Sequence, residues 1–292
     1  MACVQSRFLR AALSLLSLAL IAAAPPARQC APLRVMAFNI RLDLESDGIN
    51  RWSERRDQVV GHIALARPDI LGLQEVVPGQ KADLERAFPD HAFIGQPRDD
   101  GVSKGEYSAL MVDRRTFDVG DSGTFWLSPT PAAPSRGWDA AYSRVATWAH
   151  LVRRAGGHRI LAINTHLDNE GANARREGAR MIAQFAAKHR LPGERIVVTG
   201  DFNAEPGSPP VQLLAGPPLM LRDSYAAAAR RVGPDETFTG FDRKPGDARR
   251  IDYVLADPAL AVDSHAVLAW TGQQGRAASD HFAVVADLGD CR

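Results

Sequence analysis

The chain has almost no charge of one sign to spare. Its 35 Lys and Arg stand against 34 Asp and Glu, for a formal net charge of +1 over 292 residues. That balance excludes a protein coated in basic surface for nucleic acid, although it is compatible with a local basic cleft. Cysteine is scarce: of three, only Cys30 and Cys291 lie beyond the N-terminal leader described below. No direct internal repeat is visible. Long apolar runs are missing with one exception, the fourteen residues AALSLLSLALIAAA at 11–24. Fourteen residues are too few to span a bilayer comfortably. What remains is 45% hydrophobic and 24% charged, the make-up of a globular chain of one large domain or two modest ones.

The exceptional run reads as the core of a secretory signal. Arg7 and Arg10 precede it, and small residues follow. Cleavage is expected near residues 24–27, because Pro25 disfavours a cut directly after Ala24. Residues 1–27 are therefore assigned to a signal peptide, residues 31–290 to a single folded domain, and the product to the periplasm or the exterior. Gln29 before Cys30 argues against lipoprotein processing. An oxidising compartment permits a disulfide, and the termini of a domain often lie close together, so Cys30 and Cys291 are a candidate bridge.

Beyond the leader the pattern alternates strand and helix. LRVMAFNI (33–40) and DILGLQE (69–75) read as buried strands. Between them WSERRDQVVGHIALAR carries its apolar residues on one helical face, with Asn50 or Ser53 as a cap and Pro68 as a stop. A second short helix is expected over 79–88. The middle turns to hairpins, one of them around Ala155-Gly156-Gly157. The Pro- and Ala-rich stretch 129–141 reads as a loop over a site. A helix over ANARREGARMIAQFAAKHR, the strand RIVVTGD and three closing strands complete the chain. This order predicts an α/β protein: a four-layer α/β/β/α sandwich of two mixed sheets packed face to face, with helices outside.

Several strand ends carry polar groups. Asn39 and Glu75 each close an apolar run, where an isolated residue would serve as a turn former or a salt-bridge partner. Together they suit a hard cation such as Mg²⁺, which takes oxygen ligands. Asp201 and Asn203 in GDFN are two apart. If the strand continues they share a face and can orient a water; otherwise they form an Asx turn. His166 in NTHLD precedes Asp168, which could orient it. Asp280 and His281 are neighbours in SDH. Asp252 lies within a strand pattern, where a carboxylate is costly unless paired.

With its markers FNI, LQE, NTHLD, GDFN, RIDYV and SDHF in order, the chain resembles the endonuclease/exonuclease/phosphatase superfamily from about Leu33 to Leu288. NRWSERR, GEYSA, GTFWLSPTP and SRGWDAAY are similar to an exported bacterial branch akin to the deadenylase/nocturnin group. The resemblance implies a metal site at Glu75, Asn39 and Asp280. It implies phosphate contacts at Arg144, His166 and Asn203. Glu106 would support the phosphate-side histidine, and Asp201 would act on the water. Asp252 would orient His166 or assist the metal, and Asp280 and His281 would form a dyad. The chain departs from the branch at Ser143, where proline is common, and at Asn169, where histidine is common.

The function expected is divalent-metal-dependent phosphoester hydrolysis, as a phosphodiesterase or phosphatase, by in-line attack of an activated water. Mg²⁺ is the expected cofactor, with Mn²⁺ or Ca²⁺ as substitutes. Scattered arginine doublets favour a small phosphoester over a polymer, leaving an exported nuclease acting on DNA or RNA as one alternative. A catalytically silent ligand-binding protein on the same fold is another. Arg51, Trp52, Arg136 and Trp138 are candidate substrate-loop residues, able to offer phosphate contacts and an aromatic face. No obligate protein partner is evident, and a monomer is expected.

Overall fold

The computed structural model describes residues 31–241, 248–272 and 275–290. In chain order the strands and helices are β1 (Ala31–Asn39), α1 (Trp52–Ala66), β2 (Ile70–Val76), α2 (Pro78–Ala87), β3 (His91–Ile94), β4 (Tyr107–Asp113), β5 (Phe117–Trp126), β6 (Val145–Arg153), β7 (Arg159–His166), α3 (Ala172–His189), β8 (Arg195–Asp201), α4 (Pro209–Ala215), β9 (Arg222–Asp223), α5 (Ser224–Ala227), β10 (Arg230–Val232), β11 (Asp252–Ala256), β12 (Ala261–Leu268) and β13 (Ala283–Asp290). A 3-10 segment, Glu45–Asn50, precedes α1. Neither expected cap acts there: the cap position is Arg51, without a side-chain bond. The helix stops at Arg67, in the left-handed region ahead of Pro68.

Two mixed sheets form the centre. One runs β10-β12-β13-β1-β2-β4-β3 and the other β5-β6-β7-β8-β11-β9. Each contains a parallel pair joined through a helix, β1-α1-β2 in one and β7-α3-β8 in the other. The halves of the chain are thus alike in outline.

Alternation along the strands builds the layers. Val35 and Ala37 of β1 face the other sheet and pack with Val197, Val254 and Leu151. Met36 and Phe38 point the opposite way, toward Val59 and Ile63 of α1 and Leu84 of α2. Leu161 and Ile163 of β7 turn outward to Ile182 and Ala186 of α3 and Leu214 of α4. The result is helix, sheet, sheet, helix.

Across the sandwich β1 faces β8 and β2 faces β7, so the two parallel pairs lie against each other. A buried polar tie fixes that alignment. Asn164 of β7 accepts from Gln74 Nε2 at 2.7 Å and donates to the carbonyls of Leu73 at 2.8 Å and Ala109 at 2.9 Å. Thr199 Oγ1 donates to the same Asn164 oxygen at 3.0 Å. The C-terminal ends of β1, β2, β7 and β8 therefore open on one edge of the sandwich.

Candidate active site

Asn39 ends β1 and is fully buried. Its Nδ2 donates to Glu75 Oε1 at 2.9 Å and to Asp201 Oδ2 at 3.0 Å, while its Oδ1 accepts from the Arg41 N–H at 3.0 Å. Asn39 therefore ties two carboxylates on different sheets, and the atom it shows them is nitrogen. Glu75 sits at φ 62, where the pairing of β2 with β4 slips by a bulge between Leu73 and Val76. That bulge re-aims the carboxylate into the cleft. Its Oε2 accepts from the Leu42 N–H at 3.1 Å.

The second sheet supplies His166 and Asp201. β8 ends at Asp201, so Asn203 does not share a strand face with it as continuation would require. Asn203 adopts φ 46, a region Asn tolerates, and its N–H closes an Asx turn onto Asp201 Oδ1 at 2.9 Å. The turn swings the Asn203 amide back to His166 Nε2 at 3.0 Å, and the same Nδ2 donates to the Leu167 carbonyl at 3.0 Å. Nε2 of His166 therefore accepts. Burial, with Arg144 and Arg98 adding to it, holds the His166 pKa well below the usual histidine range, so the ring is neutral.

The expected pairings of the acids change. His281 is held by Asp252 at 2.9 Å through Nδ1; its chain neighbour Asp280 points instead to Ser279 Oγ at 3.2 Å and lies 3.9 Å from Arg41. Adjacent side chains of an extended segment diverge, whereas the start of β11 lies in the sheet facing His281. Asp252 accordingly does not orient His166. Nor does Asp168, which accepts from Arg144 Nε at 3.2 Å and from the N–H groups of Ala141 and Gly171 at 3.1 and 2.7 Å. Glu106 supports no histidine either: it pairs with Arg98 at 2.6 Å. Arg98 and Arg41 carried no sequence signal beyond belonging to scattered arginines.

A cavity of about 540 Å³ is lined by Glu75, Asp201, Asp280 and His281 together with Arg41, Arg98, Arg144 and Tyr142. Burial, and then the nearby Asp252, push the Asp201 carboxyl up to about 7. Burial also raises Asp280. For His281 burial opposes charge, yet Asp252 and Asp201 carry its pKa up to about 10. Phe238 closes over that ring edge-on, with centroids 4.9 Å apart.

The substrate-loop residues largely stand away from this cavity. Trp52 begins α1, is buried, and donates to Asp83 at 2.8 Å, so it is core rather than loop. Arg51 is occupied by Asp43 at 2.9 Å, and Arg136 donates to the Ala141 carbonyl at 3.3 Å. Trp138 is exposed at φ 53, next to Asp139, which borders a second cavity rather than this one. Cys30 and Cys291 lie outside the described residues, as does the leader; β1 and β13 pair Ala31 with Asp290.

Metal-binding capacity follows from the donor set. Asp201, Asp252 and His281 bring ligand atoms within 4.8 Å of one another and form a candidate divalent-metal site. Asp252 Oδ1 is buried without a partner. Four carboxylates, Glu75, Asp201, Asp252 and Asp280, converge in a partly dry space, an arrangement that suits a hard cation.

A four-layer sandwich with an acid-floored, arginine-walled cleft at its strand ends is the framework of a metal-using hydrolase. The chain belongs to the endonuclease/exonuclease/phosphatase family, whose pattern matches residues 36–281. It is 37% identical to an endonuclease/exonuclease/phosphatase from Bacteroides vulgatus, with TM-score 0.83 over 88% of this chain and 98% of that one. It is 32% identical to a mannosyl-6-phosphatase of Bacteroides thetaiotaomicron, again at TM-score 0.83, over 88% and 99% of the two chains. The human nocturnin catalytic domain shares the fold at 22% identity and TM-score 0.68, over 88% of this chain and 94% of that one. An uncharacterized protein of Acanthamoeba polyphaga mimivirus is 23% identical over 54% of this chain, and the chain spans 61% of that protein's length.

Proposed function

We propose that this protein is a divalent-metal-dependent hydrolase of small phosphoesters, exported from the cell that makes it. The observation that carries the reading is His281, held by Asp252 at 2.9 Å, with its other nitrogen 3.6 Å from Asp201 and with Arg144 lining the same cavity. Family membership supports the reaction class. The mannosyl-6-phosphatase relative supports a small substrate. Export rests on the leader at residues 1–27, which belongs to no described part of the structure.

Glu75 and Asp280 would hold the cation, with Asp201 beside them. His281 suits that role less, since Asp252 already holds its Nδ1 at 2.9 Å and its Nε2 lies 3.6 Å from Asp201. A divalent cation held there would polarise the phosphoryl group and offset its charge. Asp201 lies where it can take the proton of a water whose oxygen forms the new P–O bond. As that bond forms the ester P–O bond breaks, and the departing alkoxide takes a proton from solvent. His281, cationic on Asp252, and Arg144 hold the non-bridging oxygens as charge builds on them. Asn203 keeps its amide on His166 and so fixes the neutral ring against the phosphate. Asn39 keeps the Glu75 and Asp201 carboxylates together.

Two readouts test this. Mg²⁺ or Mn²⁺ should raise the melting temperature of the wild type by mass action. That gain should vanish in Glu75→Gln and Asp280→Asn. Release of inorganic phosphate from sugar phosphates should require the metal and be lost in both variants. A metal-independent melting curve, together with turnover that survives chelation, would refute the proposal. Turnover of polynucleotides alone would move the assignment to the nuclease alternative.

A further inference from the structure

The cavity is lined by two buried guanidiniums, one more than a bridging phosphodiester needs. Arg98 and Arg144 are 9% and 5% exposed, and both line the cavity. Arg98 is held by Glu106 at 2.6 and 2.9 Å, with Asp99 at 3.8 Å, and Arg144 by Asp168 at 3.2 Å. A single aromatic ring covers both. The Tyr142 ring lies 5.0 Å from the Arg98 guanidinium and 5.7 Å from that of Arg144, and the residue is 50% exposed. The backbone secures the arrangement, because the Tyr142 N–H donates to Asp168 at 3.3 Å and the Arg98 carbonyl accepts from Trp126 at 2.7 Å.

Resting on the hydrolase reading, we infer that Arg98 acts with Arg144 as a two-guanidinium clamp that selects phosphomonoesters over phosphodiesters. A monoester carries about −1.5 to −2 charge at pH 7 and three terminal oxygens, whereas a diester carries one charge and two such oxygens. Guanidinium is the group whose planar fork matches phosphate oxygens. Arg144 alone suffices for a monoanion. The second guanidinium gains a partner only when a third terminal oxygen is present, and a diester fills that position with an alkyl arm. Burial lowers the Arg98 pKa, Glu106 opposes that, and Arg144 lowers it again, which places the two guanidiniums near each other. Glu106, bonded to both terminal nitrogens of Arg98, is a positioning residue. Its carboxyl is pushed up to about 7 by burial, against the pull of Arg98.

The test compares kcat/KM for p-nitrophenyl phosphate and bis(p-nitrophenyl) phosphate in Mg²⁺ for the wild type, Arg98→Met, Arg98→Lys and the double variant Arg98→Met/Glu106→Leu. The wild type should prefer the monoester. Arg98→Met should lose at least tenfold more on the monoester than on the diester, chiefly in KM. Arg98→Lys should recover part of that loss, because charge returns without the fork. The double variant removes the unpaired Glu106 carboxyl and should keep its melting temperature while showing the same shift in preference. Equal losses on both esters would overturn the clamp and leave the hydrolase reading standing. A wild type that prefers the diester would overturn it too. A folded, metal-loaded wild type that cleaves neither ester would remove both readings together.

Discussion

His265 shows how a single residue couples this fold to pH. It sits in β12, buried, with Nδ1 on Ser224 at 2.8 Å and Nε2 without a partner. Burial lowers its pKa from 6.5 to about 4. Between those values the unfolded chain binds the extra proton. Its contribution is therefore complete above about pH 6.5 and is lost as pH falls toward 4, for roughly 3 kcal/mol at most. Equilibrium unfolding from pH 7 to 4 should show that decline in the wild type and a shallower one in His265→Asn. Parallel profiles would mean that His265 is not the residue responsible. The same scale shows why residue identities were legible and partners were not. Asn39, Glu75 and Asp201 announced themselves by ending apolar runs, Asn203 by following one in GDFN, and His281 by opening the last. That Asp252 holds His281 while Asp280 does not depends on which strand lies across the sheet, and no spacing encodes that. Arg98 was illegible for a related reason: it follows no strand pattern, and its place is defined by Glu106 eight residues on and by Trp126 and Tyr142, distant in sequence.

Among the elements, β2 carries the tightest constraint. A methyl group on Gly72 would meet Thr199 Oγ1 at 2.1 Å and Asn164 Oδ1 at 2.4 Å. Those atoms form the polar tie between the sheets, directly below Glu75. Gly72→Ala should cost about 1–3 kcal/mol by overpacking and should lower activity by shifting Glu75. Gly79 in α2 has nothing within 4 Å of such a methyl. Gly79→Ala should be neutral or stabilising by about 0.5–1 kcal/mol. Urea unfolding of the two variants separates these outcomes, and similar midpoints would contradict the account of the tie. The long elements were readable from periodicity. The edge strands β9 and β10 were not, since a few residues at a sheet margin carry no period. The end of β8 was left open by sequence, because both a continued strand and an Asx turn suit GDFN. The structure takes the turn, and that turn is what brings Asn203 to His166.

The whole molecule depends on its last strand. β13 lies between β12 and β1, so the C-terminal segment completes the middle of the first sheet. Arg34 of β1 reinforces the closure by pairing with Asp287 at 2.7 Å. A chain ending before Ala283 should fail to fold, with loss of the cooperative melt by circular dichroism; a cooperative melt in that truncation would contradict the topology. Among the described residues no helix is long and apolar enough to cross a membrane. At this scale the sandwich was legible in the order of strands and helices. Its function depends on one geometric outcome, the meeting of two parallel strand pairs at one edge.

In the proposed reaction Asp252, His281 and Asp201 act as one catalytic unit. A double-variant cycle of Asp252→Asn and His281→Ala, read as kcat for phosphate release from a sugar phosphate in saturating Mg²⁺, tests it most directly. Each single variant should lose about 100-fold or more, and the double variant should lose little beyond the larger single loss, because groups acting as a unit are not additive. Melting temperatures should stay close to that of the wild type. Single variants within a few fold of the wild type, or losses that multiply in the double variant, would contradict the unit.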